Sequence, residues 1–439
     1  MTFAEKMILY LIVITAMILP QKIFPQQLKD GKLNLKECIE IAIKNNPKIL
    51  AAQLGVSESK EKIKEENAGY YPSLNLQADA GKFSTQTNLN KGQNNNYDAG
   101  LSLHYNLFQG GKTLESVHAA RYNYEAGKYG YISSRQDLVL SVAEAYFKLL
   151  QAEHFTGVAE KSLQSAQSHL DFAKARFKNG LASRSDILKA KTEQSNAKLD
   201  LITARNSVLI ARGKLNNTLG QNVSLNIKIV DDLNNTAIQD TVKNWNRFKA
   251  LVDEAYEKRP ELKKIESQLQ MQKSIIRIAK ADYYPTVSLD ANYNYSGANL
   301  SELYNSNFIG FSFSMPLFSG FSRSSKVTQG KLQMNVLEQQ VESLRQQISQ
   351  EVWNAFLAIK EVKERIVTTR VFLKDAGENL NISEGEYKEG IGSMLDILDS
   401  ETTFVTAEQR YIEALADYKI AQINLRRTVS GNYFEEILK

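Results

Sequence analysis

The 439-residue chain has a single cysteine, Cys38, so no disulfide can form within it. Its four histidines, His104, His118, His154 and His169, are scattered, and neither a CxxC pair nor an HExxH helix is present. No metal or cofactor is expected on these motifs. Without a His or Cys cluster no catalytic residue can be named, and an enzyme is not expected. Basic blocks are also missing: a net charge of +5 is spread over a chain that is 23% charged, which argues against nucleic acid as a partner. Proline is scarce, occurring only at positions 20, 25, 47, 72, 260, 285 and 316, so residues 73–259 and 317–439 contain no proline to break a helix. The one long apolar run, MILYLIVITAMIL at residues 7–19, is too short to cross a bilayer as a helix. It has the length of a signal-peptide core, and residues 1–26 read as a signal peptide with no clear cleavage motif. Cys38, within LNLKECIEIAI, reads as a buried helix residue. Gly110-Gly111-Lys112-Thr113 looks like the end of a phosphate loop, but Asn106 stands where such a loop needs glycine.

What the chain does contain is a duplication. Pro47 precedes Pro260 by 213 residues, and Tyr70-Tyr71-Pro72 precedes Tyr283-Tyr284-Pro285 by the same distance. From Leu107-Phe108 against Leu317-Phe318 onward the offset is 210, and it holds at Ala145/Ala355, Gly180/Gly390, Asp186/Asp396 and Thr218/Thr428. The first repeat spans residues 33–220 and the second 250–431, with a joining segment at 221–249 and a tail at 432–439. The three lost residues fall in a span holding the polar tract 84–96, which reads as a loop.

Each repeat shows the same order of patterns. Asn34 with Glu37 reads as a capping box, and Asn46 with Pro47 as an N-cap followed by a first-turn proline. Apolar residues then alternate with polar ones: Leu74, Leu76, Ala78 and Ala80, then Tyr97, Ala99, Leu101, Leu103 and Tyr105. These predict a hairpin at 72–107. In the second repeat Val287, Leu289, Ala291, Tyr293 and Tyr295, then Phe311, Phe313 and Met315, predict another at 285–317. Long helices follow, from residue 112 to about 180 and from 323 to about 390. Val139, Val142, Tyr146 and Leu149 mark the seam of one; Leu337, Val341, Leu344, Ile348, Val352, Ala355 and Ile359 mark that of the other. Glycine at 180 and 390 suits a helix C-terminus, so each chain segment is expected to turn back as a return helix along 183–219 or 393–429. The return helix and the helix after the proline could stack end to end to match the longer one.

Strands of about 10 to 12 residues with one apolar and one polar face suit a transmembrane barrel. Four strands cannot close one, and open edges are not viable in hydrocarbon, so several copies must share a barrel. Two copies give eight strands and three give twelve. Tyr70, Tyr71, Tyr283, Tyr284, Phe108 and Phe318, with Phe321, sit where strands meet helices, as membrane-interface aromatics do.

With LNLKECIEIAIKNNPKI, the paired YYPSLNL and YYPTVSL, LFQGG and LFSGF, and FKNGLASRSDIL beside YKEGIGSMLDILDSETTF, the chain resembles the TolC-type outer-membrane factor family from about residue 33 to 431. The resemblance implies a mainly α fold with a membrane β-barrel portion: a homotrimer with a twelve-stranded barrel in outer-membrane lipid, set on a long α-helical periplasmic barrel. It implies an exit duct in a Gram-negative outer membrane for drugs or proteins, engaged by a periplasmic adaptor and an inner-membrane transporter. A periplasmic coiled-coil adaptor or scaffold without a channel is the alternative. By match to the family, Asp396 and Asp399 are the periplasmic gate, Asp186 and Tyr387 its latch, and Gly180, Leu181, Gly390 and Ile391 the adaptor-docking tips. Some relatives carry an arginine where this chain has Gly392. First-turn aspartates stabilised by a helix N-terminus are the plainer reading of the gate residues.

Overall fold

The computed structural model describes residues 32–87, 90–231, 233 and 245–429. The expected signal peptide, the tail and much of the joining segment lie outside the described residues. The first repeat runs β1 (Lys32–Leu33), α1 (Leu35–Asn45), α2 (Pro47–Asn67), β2 (Ser73–Thr87), β3 (Asn90–Gln109), α3 (Lys112–Lys178) and α4 (Arg184–Thr218). After β4 (Lys228–Ile229) come α5 (Trp245–Lys258), α6 (Pro260–Ala281), β5 (Thr286–Gly297), β6 (Tyr304–Ser314), α7 (Ser322–Glu389) and α8 (Met394–Val429). α5 therefore begins inside the segment expected to join the repeats.

The caps form as the sequence requires. Glu37 N donates to Asn34 Oδ1 at 2.9 Å while Asn34 N donates to Glu37 Oε2 at 2.8 Å. Asn46 caps α2 by accepting from Lys48 N at 2.9 Å, and its amide donates to the Thr218 carbonyl at the end of α4, also at 2.9 Å. The N-terminus of α2 is thus fastened to the C-terminus of α4, and both helices pack along α3. This is the end-to-end stack that matches a 67-residue helix with two shorter ones.

Val139, Val142, Tyr146 and Leu149 are fully buried, in one core with Cys38, Ile39 and Leu215 and, from the second repeat, Ile366 and Tyr418. Burial pushes the Cys38 thiol up to about 12, with Glu37 adding to the effect. Tyr146 Oη donates to the Val230 carbonyl at 2.7 Å, pinning the small parallel pair of β1 and β4 to the long helix. On α7, Ile348, Val352, Ala355 and Ile359 are buried, whereas Leu337, Val341 and Leu344 are half-buried.

The four long strands form one antiparallel sheet in the order β2-β3-β5-β6. Register places Leu76 beside Leu101, Leu101 beside Tyr293, and Leu289 beside Phe311, so most apolar residues of the four strands share one face, Phe308 being an exception. Asn75, Ser102, Asn292 and Asn294 share the other with His104 and Asp290, whose Nδ1 and Oδ1 are 2.6 Å apart. The tract 84–96, expected as a loop, is instead mostly strand: the ladder continues to Thr87 opposite Asn90. Backbone pairing needs no apolar alternation once a strand leaves a buried face, so the pattern that betrays a strand stops before the strand does.

Candidate functional site

Two regions of the chain lie at opposite ends of the long helices. At the sheet end, β2 and β5 begin and β3 and β6 finish on the same rim. Tyr70, Tyr71, Phe108, Tyr283, Tyr284 and Phe318 all gather there, each at least 45% exposed. Phe318 meets Phe321 edge to face with centroids 5.6 Å apart, and the Arg323 guanidinium lies 5.3 Å from the Tyr283 ring centre. Gly110 and Gly111 take positive φ and make the strand-to-helix turn, with Lys112 Nζ 3.4 Å from Asp282, so the apparent phosphate loop is a structural corner.

At the other end, α3 and α7 finish in the same way. Gly180 and Gly390 adopt φ of +72° and +82°, and the next amides, of Leu181 and Ile391, return to the carbonyls of Arg176 and Glu386 at 2.8 and 3.0 Å. Leu181 and Ile391 are left 66% and 81% exposed at the extremity of the molecule. The return helices start alike too. Ser183 N donates to Asp186 Oδ2 at 3.0 Å, and Ser393 N to Asp396 Oδ2 at 2.8 Å, each aspartate closing a reciprocal cap with its serine. The Ser393 hydroxyl and amide hold the Asp396 carboxyl below the usual carboxylate range. Asp399, one turn on, is exposed, and among the described residues no hydrogen bond or ion pair reaches its carboxylate. The first-turn reading therefore holds for Asp396, while Asp399 faces open space.

Behind these turns, Leu170, Ala173, Ala190, Met394, Ile397 and Tyr387 form a small core shared by α3, α4, α7 and α8. Tyr387 is buried, and among the described residues its hydroxyl has no hydrogen-bond partner. Burial, reinforced by the negative charge of Asp186, pushes its phenol up, with Arg176 opposing. Arg176 Nη1 donates to the Tyr387 carbonyl at 2.6 Å and to that of Lys388 at 3.0 Å, and its guanidinium lies 5.1 Å from the Tyr387 ring centre. Phe172 packs edge to face on the same ring at 5.8 Å. Asp186 and Tyr387 are thus brought together, but the sequence reading missed Arg176 and Phe172. The one available signal was a cation one turn from a helix C-terminus, where it faces free carbonyls.

Comparison with known proteins gives this arrangement its setting. The family described as outer membrane efflux protein matches residues 38–221 and 251–431, one block for each set of helices and strands. The chain belongs to the outer membrane efflux protein family. It is 26% identical over 412 residues to outer membrane protein TolC of Salmonella enteritidis, covering 90% of this chain and 81% of that one. Its fold is that of the Vibrio cholerae outer membrane protein VceC (TM-score 0.76, 19% identity, 91% and 96% of the two chains). It is also that of the Campylobacter jejuni outer membrane channel CmeC (TM-score 0.79, 16% identity, 92% and 88%). As a member of this family the chain is an outer-membrane efflux channel protein whose helices form a large periplasmic part. Among the described residues no helix is long and apolar enough to cross a membrane.

Proposed function

We propose that three copies of this chain close one twelve-stranded barrel and one helical duct, through which substrates delivered by an inner-membrane transporter and a periplasmic adaptor pass the outer membrane. The observation that carries this reading is the sheet, apolar on one face and polar on the other, with β2 and β6 unpaired along their outer edges. Strand direction alternates across it, so β6 of one copy meets β2 of the next antiparallel, as within the sheet. Closure satisfies every edge in hydrocarbon, and twelve strands leave a lumen where eight would leave one filled by side chains. Apolar side chains left exposed in the single chain support the same assembly: Leu199, Ile202 and Leu209 on α4, and Leu332 and Val336 on α7.

The aromatic rim at the foot of the sheet marks the periplasmic membrane interface. At the far end Asp399 of three copies forms an acidic ring with Asp396 one turn away, which attracts cations and sets the constriction. Arg176, Tyr387 and Asp186 hold the ends of α3 and α4 against that of α7 and keep that end narrow. Leu181 and Ile391, exposed on rigid turns, are the apolar contacts for the adaptor, and the repeat gives each protomer two such tips. The duct is a passive conduit.

Native mass of the full-length chain, extracted in detergent from outer membranes, tests the assembly. A trimer supports the shared barrel. A water-soluble monomer in the periplasmic fraction would favour a scaffold or adaptor without a channel.

A further inference from the structure

His169 on α3, Glu384 on α7 and Glu401 on α8 each turn one ligand atom toward a common point, and those atoms lie within 4.8 Å of one another. Sequence motifs give no hint of this, because the residues come from three helices and both repeats. Their environment is unusual. The Glu401 side chain is only 8% exposed and that of His169 only 13%, yet among the described residues neither Glu401 Oε2 nor His169 Nε2 has a hydrogen-bond partner. Those two atoms are 3.6 Å apart, too far for a good hydrogen bond. The spacing is close instead to the edge of a coordination tetrahedron, about 3.3 Å for bonds of about 2.0–2.1 Å. A buried carboxylate oxygen and a buried imidazole nitrogen at this spacing are placed to be bridged by a cation that both coordinate.

We propose that His169, Glu384 and Glu401 form a binding site for a divalent transition-metal ion of the zinc class, joining α3, α7 and α8. One imidazole nitrogen and two carboxylate oxygens suit zinc or cobalt, whereas calcium and magnesium call for an all-oxygen shell with more ligands. The third ligand is available: among the described residues the ion pair of Glu384 is with Lys388, one turn away at 3.5 Å, whose side chain is 61% exposed and can turn into solvent. A cavity of about 500 Å³ borders His169 and Glu384, with Ser165 and Ser168 on its wall, so water can complete four-coordination. Tyr387 lies one turn beyond Glu384 on α7 and lines the same cavity. The ion therefore braces the stretch of α7 that carries Tyr387. The site rests on side chains of one chain and stands whether or not three copies form a duct.

The test uses full-length protein in detergent, stripped with a chelator and titrated with Co²⁺ as a spectroscopic probe. The expected result is saturation at one Co²⁺ per chain with visible ligand-field bands, displaced by Zn²⁺, and at least tenfold weaker binding in His169→Gln and in Glu401→Gln. X-ray absorption of the zinc-loaded wild type, which needs no variant to fold, should show one imidazole per zinc. Binding that does not saturate near one per chain, undiminished affinity in His169→Gln, or an all-oxygen shell around zinc would each overturn the proposal.

Discussion

The guanidinium of Arg176 caps the last turn of α7 by donating to the main-chain carbonyl of Tyr387 at 2.6 Å, 211 residues away in sequence. Arg176 belongs to the first repeat and Tyr387 to the second, so the two long helices are tied at their ends by a charged side chain, not by apolar packing alone. The same group lies over the Tyr387 ring and fills the space beside Gly390, where an added Cβ would come within 3.2 Å of it.

Arg176→Ala removes two charge-assisted hydrogen bonds, to the carbonyls of Tyr387 and Lys388, and leaves the Tyr387 carbonyl with only the Gly390 amide at 3.2 Å among the described residues. Each such bond contributes about 1.5–3 kcal/mol when buried, and less at this partly exposed turn. Amide exchange of residues 387–392 should quicken by one to two orders of magnitude while the core around Tyr146 keeps its protection. Unchanged exchange at the turn would remove Arg176 from the latch.

Asp396 and Asp399 should separate on mutation. Asp396→Ala loses both the proposed gate charge and the helix cap, so the first turn of α8 frays and amide exchange there rises. Asp399→Ala loses charge alone: block of the reconstituted channel by multivalent cations weakens and helix protection stays. Equal fraying in both variants would contradict the division of labour.

Acid should loosen the junction of α5, α6 and α7. Burial works against the charges of Glu261 and Glu351, but Arg259, itself only 3% exposed, outweighs it and holds both carboxyls below their ordinary 4.5. Burial likewise opposes the Arg259 charge, and Glu261 and Glu351 hold it above its ordinary value. Carboxyls depressed in the folded state contribute stability that is complete well above pH 4.5 and lost as pH falls through their folded values. Thermal unfolding should therefore drop below pH 4, and Glu351→Gln should flatten that drop. A pH-independent midpoint between pH 5 and 3 would contradict it.

Cys38, fully buried with its thiol pushed up to about 12, should resist alkylation at pH 8 in the folded protein and react once denatured. Ready labelling of the native protein would show that α1 does not seal this core.

Much of this molecule was legible in its sequence because its signals are local and repeated. The Asn34 and Asn46 caps, the proline-free helices, the glycine turns and the period-two strands each follow from residues within a few positions of one another. The doubled pattern served as an internal control. What escaped reading depends on three-dimensional closure. The polar ends of β2 and β3 pair in register as far as Thr87 and Asn90, and their sequence carries no periodic trace. Arg176 finds Tyr387 because the ends of α3 and α7 meet, and His169 finds Glu401 because α3 packs on α8. Resemblance put Asp186 in the latch and Asp396 in the gate, and the structure shows that each also closes a helix cap.

The measurement that bears most directly on the channel is single-channel current from outer-membrane-extracted protein in planar bilayers. Three copies closing one barrel predict discrete, long-lived, cation-selective conductance steps, whose size rises when Asp396 and Asp399 are both replaced by alanine. A preparation that inserts without steps, or conducts identically with and without those carboxylates, would contradict a duct constricted at its periplasmic tips.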